Sequence, residues 1–407
     1  MRLYTLTSDL HGELASSARN EQFIKDIEAT LGEPFDYREG DFSDFGAAGD
    51  VIYVRTGGTE GIFRKKYEGH EGARVRLLTS GQSNSLAASM EILSWLGSQG
   101  LDGEIIHGSA KEAASELLRH YPEGAGAASP LVRRFEDRKL LAGKRFGVIG
   151  QPSDWLIGSG VDYAAAKKKL GAELIDIPIE ELVSLAKAQP VPQAPFPLKP
   201  LNAPKYGKSL TDADFAGAMR IYGALQTLIA KYRLSGLTLR CFDLLTALGN
   251  TGCLSLALLN AEGITATCEG DIPAMLSMAI VRARYGKSGF QVNLSRISEG
   301  NFLFAHCTVP LDMVTDYCYD THFESGIGVA VHGVLPVGPA RLFKLGADLE
   351  HCIDERINII DNPYGNNLCR TQIVVRGWAD REKAVGKDAL RNYFLREPLG
   401  NHHIISI

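Results

Sequence analysis

The strongest local candidate for chemistry in this sequence is a pair of carboxylates, Glu269 and Asp271, separated by a single glycine. The pair follows a predicted strand at 265–268 and precedes a helix predicted to begin near Ile272. At the carboxyl end of a strand, both side chains can face one crevice. One carboxylate could then bind a hard divalent cation while the other accepts a proton or holds a ligand. The alternative is an acidic helix start that the helix dipole stabilises.

Three histidines are candidates to complete a metal site with these carboxylates. His306 ends an apolar strand, and His402 and His403 lie in an apolar C-terminal segment. A carboxylate with two imidazoles is a reasonable ligand set for Mn²⁺, Fe²⁺, Co²⁺ or Zn²⁺. Each histidine also has a simpler interpretation, as a hydrogen-bonded core residue or as part of a packed tail. Spacing alone does not show that these side chains converge.

The composition indicates a folded, multi-domain protein and argues against several classes of function. With 407 residues, 45% of them hydrophobic, the chain has the length for about two to four domains and is too apolar to be disordered. The 43 basic and 48 acidic side chains give a net charge of −5, which argues against nucleic-acid binding through bulk positive charge. No apolar stretch reaches the roughly 18 residues of a membrane span. No apolar signal core follows Met1, so we expect a cytoplasmic protein.

Searches for other motifs are negative. Residues 147–150 do not complete the GxGxxG dinucleotide fingerprint, and neither a P-loop nor a GxSxG elbow occurs. The seven cysteines form no CxxC pair. We therefore expect buried, reduced thiols rather than a disulfide framework or a zinc knuckle.

Strands alternate with glycine-rich loops and helices through most of the chain. Strands predicted at 51–55 and 74–79, with a loop at 80–84 and a helix at 85–96, form the strand–loop–helix unit of a parallel sheet. A second unit of this kind begins with a predicted strand at 144–150. In such sheets the loops at the carboxyl ends of the strands hold the ligand.

This pattern predicts an α/β fold with two doubly wound α/β domains followed by a smaller, β-rich and barrel-like C-terminal domain. The N-terminal domain is placed at 1–135 and is expected to supply substrate loops and oligomer contacts. The central domain, at 136–309, carries the candidate metal-site carboxylate, and the C-terminal domain, at 310–407, carries the terminal histidine pair. Short β-like runs separated by glycine and proline begin to dominate near residue 310.

Taken together, these motifs resemble the L-fucose isomerase and L-arabinose isomerase superfamily, in the manner of a divergent fucose isomerase-like protein. The likeness is clearest between residues 240 and 310. Residues 268–271 resemble the Glu-Gly-Asp segment of arabinose isomerases, and residues 300–306 resemble the strand that supplies a metal-binding histidine. Residues 400–403 are similar to the family's His-His pair. Further likenesses lie in the loops at 53–58, 151–157 and 323–328.

The resemblance implies an isomerase that interconverts aldoses and ketoses with a divalent metal. Mn²⁺ is the first choice, with Co²⁺, Fe²⁺, Mg²⁺ and Zn²⁺ as alternatives. By this resemblance Glu269 is both metal ligand and catalytic base, and His306 and His403 bind the metal as neutral imidazoles. The candidates for sugar recognition are Arg55, Gln82, Asn84, Asp154, Trp155, Asp243 and His402.

One departure from the family bears on the mechanism. Asn293 stands where the family is expected to have its second carboxylate. An asparagine can bind a metal through its amide oxygen but cannot take a proton, so Asn293 is a candidate ligand and the partner acid must lie elsewhere. Asp271 is the first candidate for this catalytic acid, and a metal-bound water is the second.

We expect a small-molecule sugar as substrate, no nucleic-acid or membrane partner, and a homo-oligomer. The resemblance implies a dimer, trimer or hexamer with sites near the subunit interfaces. Three alternatives remain open: an isomerase of an anionic sugar such as sulfoquinovose, an epimerase or aldolase-like enzyme, and a non-catalytic sugar-binding protein. The loss of the second carboxylate motivates the second alternative, whereas the retained Glu269 argues against the third.

Overall fold

The computed structural model describes residues 1–8, 17–119, 129–201, 209–365 and 367–407. Within these ranges, no helix has both the length and the apolar character that crossing a bilayer requires. All seven cysteines are free thiols and all but Cys318 are buried, as the sequence predicts.

The N-terminal part of the chain builds a parallel sheet with helices around it. Its elements are β1 (Arg2–Leu6), a 3-10 turn (Ala18–Asn20), α1 (Gln22–Leu31), β2 (Asp36–Glu39), β3 (Val51–Val54), α2 (Glu60–Tyr67), β4 (Val75–Thr79), α3 (Ser85–Ser98), β5 (Gly103–His107) and α4 (Ala110–Leu117). The five strands are arranged in the order β2-β1-β3-β4-β5. Both β3 and β4 are buried along their whole length, as expected for strands covered on both faces.

The central part repeats this architecture with a smaller sheet. Its elements are β6 (Arg133–Arg134), β7 (Arg145–Ile149), α5 (Tyr163–Leu170), β8 (Glu173–Ile177), α6 (Ile179–Ala188), α7 (Asp212–Tyr232), β9 (Gly236–Leu239), α8 (Asp243–Leu248), α9 (Cys253–Ala261), β10 (Thr265–Cys268) and α10 (Ile272–Tyr285). Four of the strands form a parallel sheet in the order β10-β9-β7-β8. The carboxyl ends of β10, β9 and β7 therefore lie side by side.

The last part of the chain forms an antiparallel barrel. Its elements are β11 (Phe290–Ser298), β12 (Asn301–His306), β13 (Asp316–Asp320), β14 (Ala330–Val334), β15 (Gly338–Leu345), β16 (His351–Asp361), β17 (Thr371–Gly377), α11 (Ala379–Val385), α12 (Ala389–Arg396) and β18 (His403–Ser406). Six strands follow one another in the order β15-β18-β11-β12-β17-β16, and the pairing of β15 with β16 closes the barrel. The short strand β6 extends the sheet beside β16, and β13 and β14 form a separate hairpin.

The fold class predicted from the sequence is confirmed: parallel α/β sheets are followed by a closed barrel. The barrel begins earlier than the predicted boundary at residue 310, because β11 and β12 are two of its strands. The first six residues of β11 are all buried and alternate between apolar and polar types, a period of two that suits an antiparallel strand. The boundary at residue 310 followed from the short β-like runs separated by glycine and proline that begin to dominate there, and β11 and β12 precede those runs.

Candidate active site

The candidate site is centred on Glu269, which directly follows β10. Glu269 and Gly270 both have left-handed backbone conformations, with φ of +65° and +72°. A Cβ atom on Gly270 would overlap the carbonyl oxygen of Gln151, so only glycine fits where this loop crosses the loop after β7. The Ser153 amide donates to the Glu269 carbonyl oxygen at 3.0 Å and ties the two loops together. A left-handed non-glycine residue costs on the order of 1 kcal/mol, and such residues cluster at functional sites.

Two histidine rings approach Glu269 from the barrel. His306, at the end of β12, places its Nε2 atom 3.6 Å from Glu269 Oε1. His402, immediately before β18, places its Nε2 atom 3.4 Å from the same oxygen. One ligand atom from each of the three residues lies within 4.8 Å of the others, and no other such group of histidine, cysteine or acidic side chains exists in the described ranges.

The remaining ring nitrogens are held by neighbouring side chains. His306 Nδ1 lies 3.1 Å from Thr308 Oγ1, and His402 Nδ1 lies 2.8 Å from Asp271 Oδ2. Partners of this kind fix the orientation of a metal-binding imidazole and its tautomer. Both Nε2 atoms are consequently directed towards Glu269.

The ionisation of these groups favours a positive charge among them. Burial would raise the pKa of Glu269, but His402 and His306 outweigh it and hold the pKa well below the usual value. Burial would lower the pKa of His402, but Glu269 and the hydrogen bond to Asp271 raise it to about 10. A proton on His402 balances the acidic side chains, and a divalent cation can take its place.

The residues present fit a divalent metal. A carboxylate and two imidazoles suit Mn²⁺, Fe²⁺, Co²⁺ or Zn²⁺. His402 Nε2 is buried and has no hydrogen-bond partner among the described residues, which is the state expected of a ligand atom that awaits its ion.

The structure corrects the choice between the two C-terminal histidines. His402, not His403, lies beside Glu269. His403 is fully buried, with Nε2 2.8 Å from the Tyr393 hydroxyl and Nδ1 2.9 Å from the Asn401 carbonyl oxygen. Burial lowers the pKa of His403 to about 3, so this ring is neutral and structural. Successive side chains on an extended segment point to opposite sides, so only one member of the pair can face the site.

Asp271 also takes a different role from the predicted one. Its Oδ1 accepts from the Ala274 amide at 2.7 Å and caps α10, while its Oδ2 is held by His402. The buried Lys344 Nζ atom lies 4.0 Å from Oδ2. Asp271 therefore positions His402 and does not line the cavity beside Glu269, which removes the structural basis for Asp271 as the catalytic acid.

Glu91, on α3, holds the C-terminal segment in place. This fully buried carboxylate accepts hydrogen bonds from the Gly158 amide at 2.8 Å, the Ser159 hydroxyl at 3.1 Å and the Asn401 amide at 3.0 Å. One side chain thus joins all three parts of the fold next to His402.

The cavity beside Glu269, here called the site pocket, is lined by polar and aromatic side chains. They include Glu60, Asn84, Trp155, Phe242, Glu269, Asn293, Glu324 and Asn401, and the described lining contains no lysine or arginine. Trp155 Nε1 donates to Glu269 Oε2 at 2.7 Å, and its ring packs edge-on against Phe242. Asn84 Nδ2 donates to Glu324 Oε1 at 2.8 Å.

Several buried atoms of the site pocket lack hydrogen-bond partners among the described residues. They are Glu60 Oε2, Asn84 Oδ1, Asn293 Oδ1 and Asn401 Oδ1. Buried polar atoms are nearly always hydrogen bonded, so these four acceptors indicate a polar ligand.

The other predicted sugar-binding residues lie elsewhere. Arg55 and Gln82 line a second cavity, here called the N-terminal crevice, which also includes Glu21, His107 and Arg296. Asp154 and Asp243 lie outside both cavities, where they pair with Arg240 at 2.8 and 3.1 Å, and the Asp154 side chain is 83% exposed. Of the predicted sugar-binding residues, the structure thus places Asn84, Trp155 and His402 near Glu269. His402 lies there as a candidate metal ligand, and the predicted ligand Asn293 also lines the site pocket.

Four residues of the site pocket were not among the residues predicted from the sequence: Glu60, Phe242, Glu324 and Asn401. Glu60 follows the glycine turn after β3 and Phe242 follows β9 by three residues, so both lie at the carboxyl ends of parallel strands. Their position after a predicted strand is the sequence feature from which these two residues could have been predicted to line the site. Glu324 belongs to the 323–328 loop of the resemblance, and Asn401 precedes the histidine pair.

No family model matches this chain. Over 185 residues the chain is 28% identical to the sulfoquinovose isomerase of Clostridium sp. (strain MSTE9), an alignment that covers 41% of this chain. The alignment covers 39% of that relative, so well under half of its length is matched. Membership of the fucose and arabinose isomerase superfamily stays a prediction, and what the comparison adds is similarity to a protein named as a sugar isomerase.

Proposed function

We propose that this protein is a metal-dependent isomerase that interconverts the aldose and ketose forms of a free sugar. The observation that carries the proposal is the convergence of Glu269, His306 and His402 beside a pocket with unpartnered polar atoms. The similarity to a relative named sulfoquinovose isomerase supports the same class of reaction.

Glu269 is the base in this proposal. Its Oε1 atom belongs to the ligand group, and its Oε2 atom accepts the hydrogen bond from Trp155. That hydrogen bond fixes the plane of a carboxylate that lines the pocket and is placed to remove the proton from C2 of a sugar. The low pKa of Glu269 keeps the carboxylate ionised at neutral pH.

His306 and His402 would hold the metal through their Nε2 atoms, together with Glu269 Oε1. A divalent cation bound there supplies charge stabilisation for the negative charge that develops on the sugar oxygens. Asn84, Asn293 and Asn401 offer amide oxygens to sugar hydroxyl groups.

A neutral sugar is the substrate class that the lining favours. Glu60, Glu269 and Glu324 are acidic, and no lysine or arginine is among the described lining residues. The ionised Glu269 carboxylate would repel a sulfonate or carboxylate on the substrate. The second candidate is an anionic sugar, which the named relative favours. It would need a cationic side chain from outside this lining, for example from a neighbouring subunit.

The test is a metal-dependent activity screen. Protein from which a chelator has removed the metal is mixed with Mn²⁺ and with matched neutral and anionic aldoses in D₂O. Proton NMR follows the sugars. Loss of the C2 proton signal together with new ketose resonances is expected for a neutral aldose, and the same chelated protein without Mn²⁺ is the control. Turnover of anionic sugars alone would select the second candidate. Stoichiometric metal binding without proton exchange into any sugar would refute the isomerase.

A further inference from the structure

The isomerisation needs a second proton carrier, and the residues expected to supply it do not do so. Position 293 holds an asparagine, whose amide takes no proton. Asp271 is fully buried between the His402 ring and the first turn of α10. The described part of the site pocket contains two other carboxyl groups besides Glu269, namely Glu60 and Glu324.

Glu60 is the better placed of these two. It is the first residue of α2 and is 2% exposed, and its Oε2 atom has no hydrogen-bond partner among the described residues. Glu324, in contrast, accepts a hydrogen bond from Asn84. A buried, unpartnered carboxyl oxygen that lines the same cavity as Glu269 is poised for a polar ligand.

The turn before α2 holds Glu60 rigidly. The Gly57 amide donates to the Ser83 carbonyl oxygen at 2.7 Å, and the Thr59 hydroxyl donates to the Thr56 carbonyl oxygen at 3.0 Å. Gly58 has a φ of +71°, a left-handed conformation that suits glycine. These contacts fix the start of the helix and with it Glu60. A group that transfers protons must be held in position in this way.

The ionisation of Glu60 agrees with this geometry. Burial raises the pKa of Glu60 well above its usual value, and the charges of Glu91, Glu269 and Glu324 raise it further. A shift in this direction favours the protonated form of the carboxyl group, which can donate a proton. The pKa of Glu60 is thus raised and that of Glu269 lowered within one pocket.

We propose that Glu60 is the second proton-transfer residue of the site, the group that exchanges protons with the sugar oxygens while Glu269 acts at carbon. This inference rests on the proposed isomerase function. It names the acid that the substitution at position 293 leaves unassigned.

The proton balance closes with these two residues. Glu269 takes the proton from C2, the C2–H electron pair forms the C1=C2 bond, and the carbonyl electron pair moves onto O1, which takes the proton of Glu60. In the second half, the Glu60 carboxylate takes the proton from the O2 hydroxyl and the C2=O2 bond forms. The electron pair of C1=C2 then takes the proton from Glu269 at C1. Both residues return to their starting states, and no further reactant is needed.

The experiment compares Glu60→Gln with the wild-type enzyme on the sugar that the activity screen identifies. We expect kcat to fall by about 10²- to 10⁴-fold, the usual contribution of a positioned acid or base. Binding of the corresponding alditol, which cannot isomerise, is expected to stay close to wild type when measured by calorimetry. Glu68→Gln, at the exposed end of the same helix, is the matched control and should keep wild-type kcat.

A second variant protects the test against misfolding. Glu60→Ala should regain turnover in a saturable manner when formate is added, whereas a purely structural residue would give no such rescue. Near-normal kcat in Glu60→Gln, or parallel loss of alditol binding and kcat without formate rescue, would overturn the role of Glu60 and leave the isomerase in place. A wild-type enzyme that converts no sugar would remove the proposed function itself, and this inference with it.

Discussion

The site pocket and the N-terminal crevice both lie at the carboxyl ends of parallel strands, yet their polar groups are used differently. In the N-terminal crevice, Arg55 is paired with Glu21 at 2.5 Å, and His107 Nε2 accepts from the Ile297 amide at 3.0 Å. In the site pocket, buried acceptors such as those of Glu60 and Asn293 have no partner among the described residues. Position at a strand end is therefore shared, whereas the unpartnered buried acceptors mark the site pocket as the cavity that awaits a polar ligand.

The backbone shows a weaker contrast, because Ser83 of the N-terminal crevice is also left-handed, with φ of +47°. The site loop holds Glu269 and Gly270 in left-handed conformations, locked by contact with Gln151 and by the Ser153 amide. Strain that persists because the surrounding structure imposes it is typical of functional sites. In the N-terminal crevice, the Ser109 cap on α4 is a complete capping box with Glu112, which is an ordinary stabilising feature.

The largest expected effect is a loss of activity when the site pocket is changed and no loss when the N-terminal crevice is changed. Glu269→Gln should lower kcat by about 10²- to 10⁴-fold, because the amide cannot take the C2 proton. Hydrogen–deuterium exchange at C2 of the substrate should fall in parallel, while some sugar binding remains. Glu21→Gln, the matched change in the N-terminal crevice, should leave kcat unchanged. Near-normal turnover in Glu269→Gln would show that the base lies elsewhere, and an equal loss in Glu21→Gln would bring the crevice into the reaction.

The next effect distinguishes the two C-terminal histidines. His402→Ala should weaken Mn²⁺ binding by more than about 100-fold, because it removes a ligand and not merely an outer partner. His403→Ala should keep the metal stoichiometry but lower the free energy of unfolding, since it breaks the bonds to Tyr393 and Asn401 and leaves a cavity. Calorimetric titration and thermal unfolding measure the two effects. Weaker metal binding in His403→Ala than in His402→Ala would reverse the assignment.

His402 and His403 also show which parts of the site could be predicted from the sequence. Order along the chain and residue type identified Glu269, His306 and the segment that supplies the second imidazole. The sequence could not show that β18 pairs with β11 in the register Val292↔His403, which decides the facing side of each histidine. Nor could it show Asp271 bonded to His402, because a contact between residues 131 positions apart depends on the closed barrel.

In the fold, too, local features can be predicted from the sequence and long-range contacts cannot. Periodicity predicts the parallel strand–loop–helix units, since each unit is local in sequence. Closure of the barrel depends on β15 pairing with both β16 and β18, and the second of these contacts is remote in sequence. The site pocket combines residues as distant as Glu60 and Asn401, so its membership follows only from the packed structure.

A pH-dependent effect tests the N-terminal crevice as a structural feature. Burial lowers the pKa of His107 to about 4, so protonation favours the unfolded chain. The stabilisation is complete about one pH unit above the unfolded pKa of about 6.5 and is lost as the pH falls towards 4, which amounts to about 1.6 kcal/mol between pH 6.5 and 5. His107→Gln removes this titration, so the difference in free energy of unfolding between wild type and variant should shift by that amount. Denaturant unfolding at the two pH values measures it. A constant difference would mean that His107 is accessible to protons in the folded state.

The smallest effect concerns Asp271 as the partner of His402. Asp271→Asn keeps an oxygen that can cap α10, but it weakens the charged hydrogen bond that orients the imidazole. Loss of such an outer partner typically costs about 10- to 100-fold in metal affinity, so Mn²⁺ binding should weaken within that range, and less than in His402→Ala. The variant should keep the alditol affinity of the metal-saturated protein, because Asp271 does not line the site pocket. If instead kcat collapses at saturating Mn²⁺ while metal affinity is unchanged, Asp271 takes part in proton transfer, and the division of roles between Asp271 and Glu60 would have to be reversed.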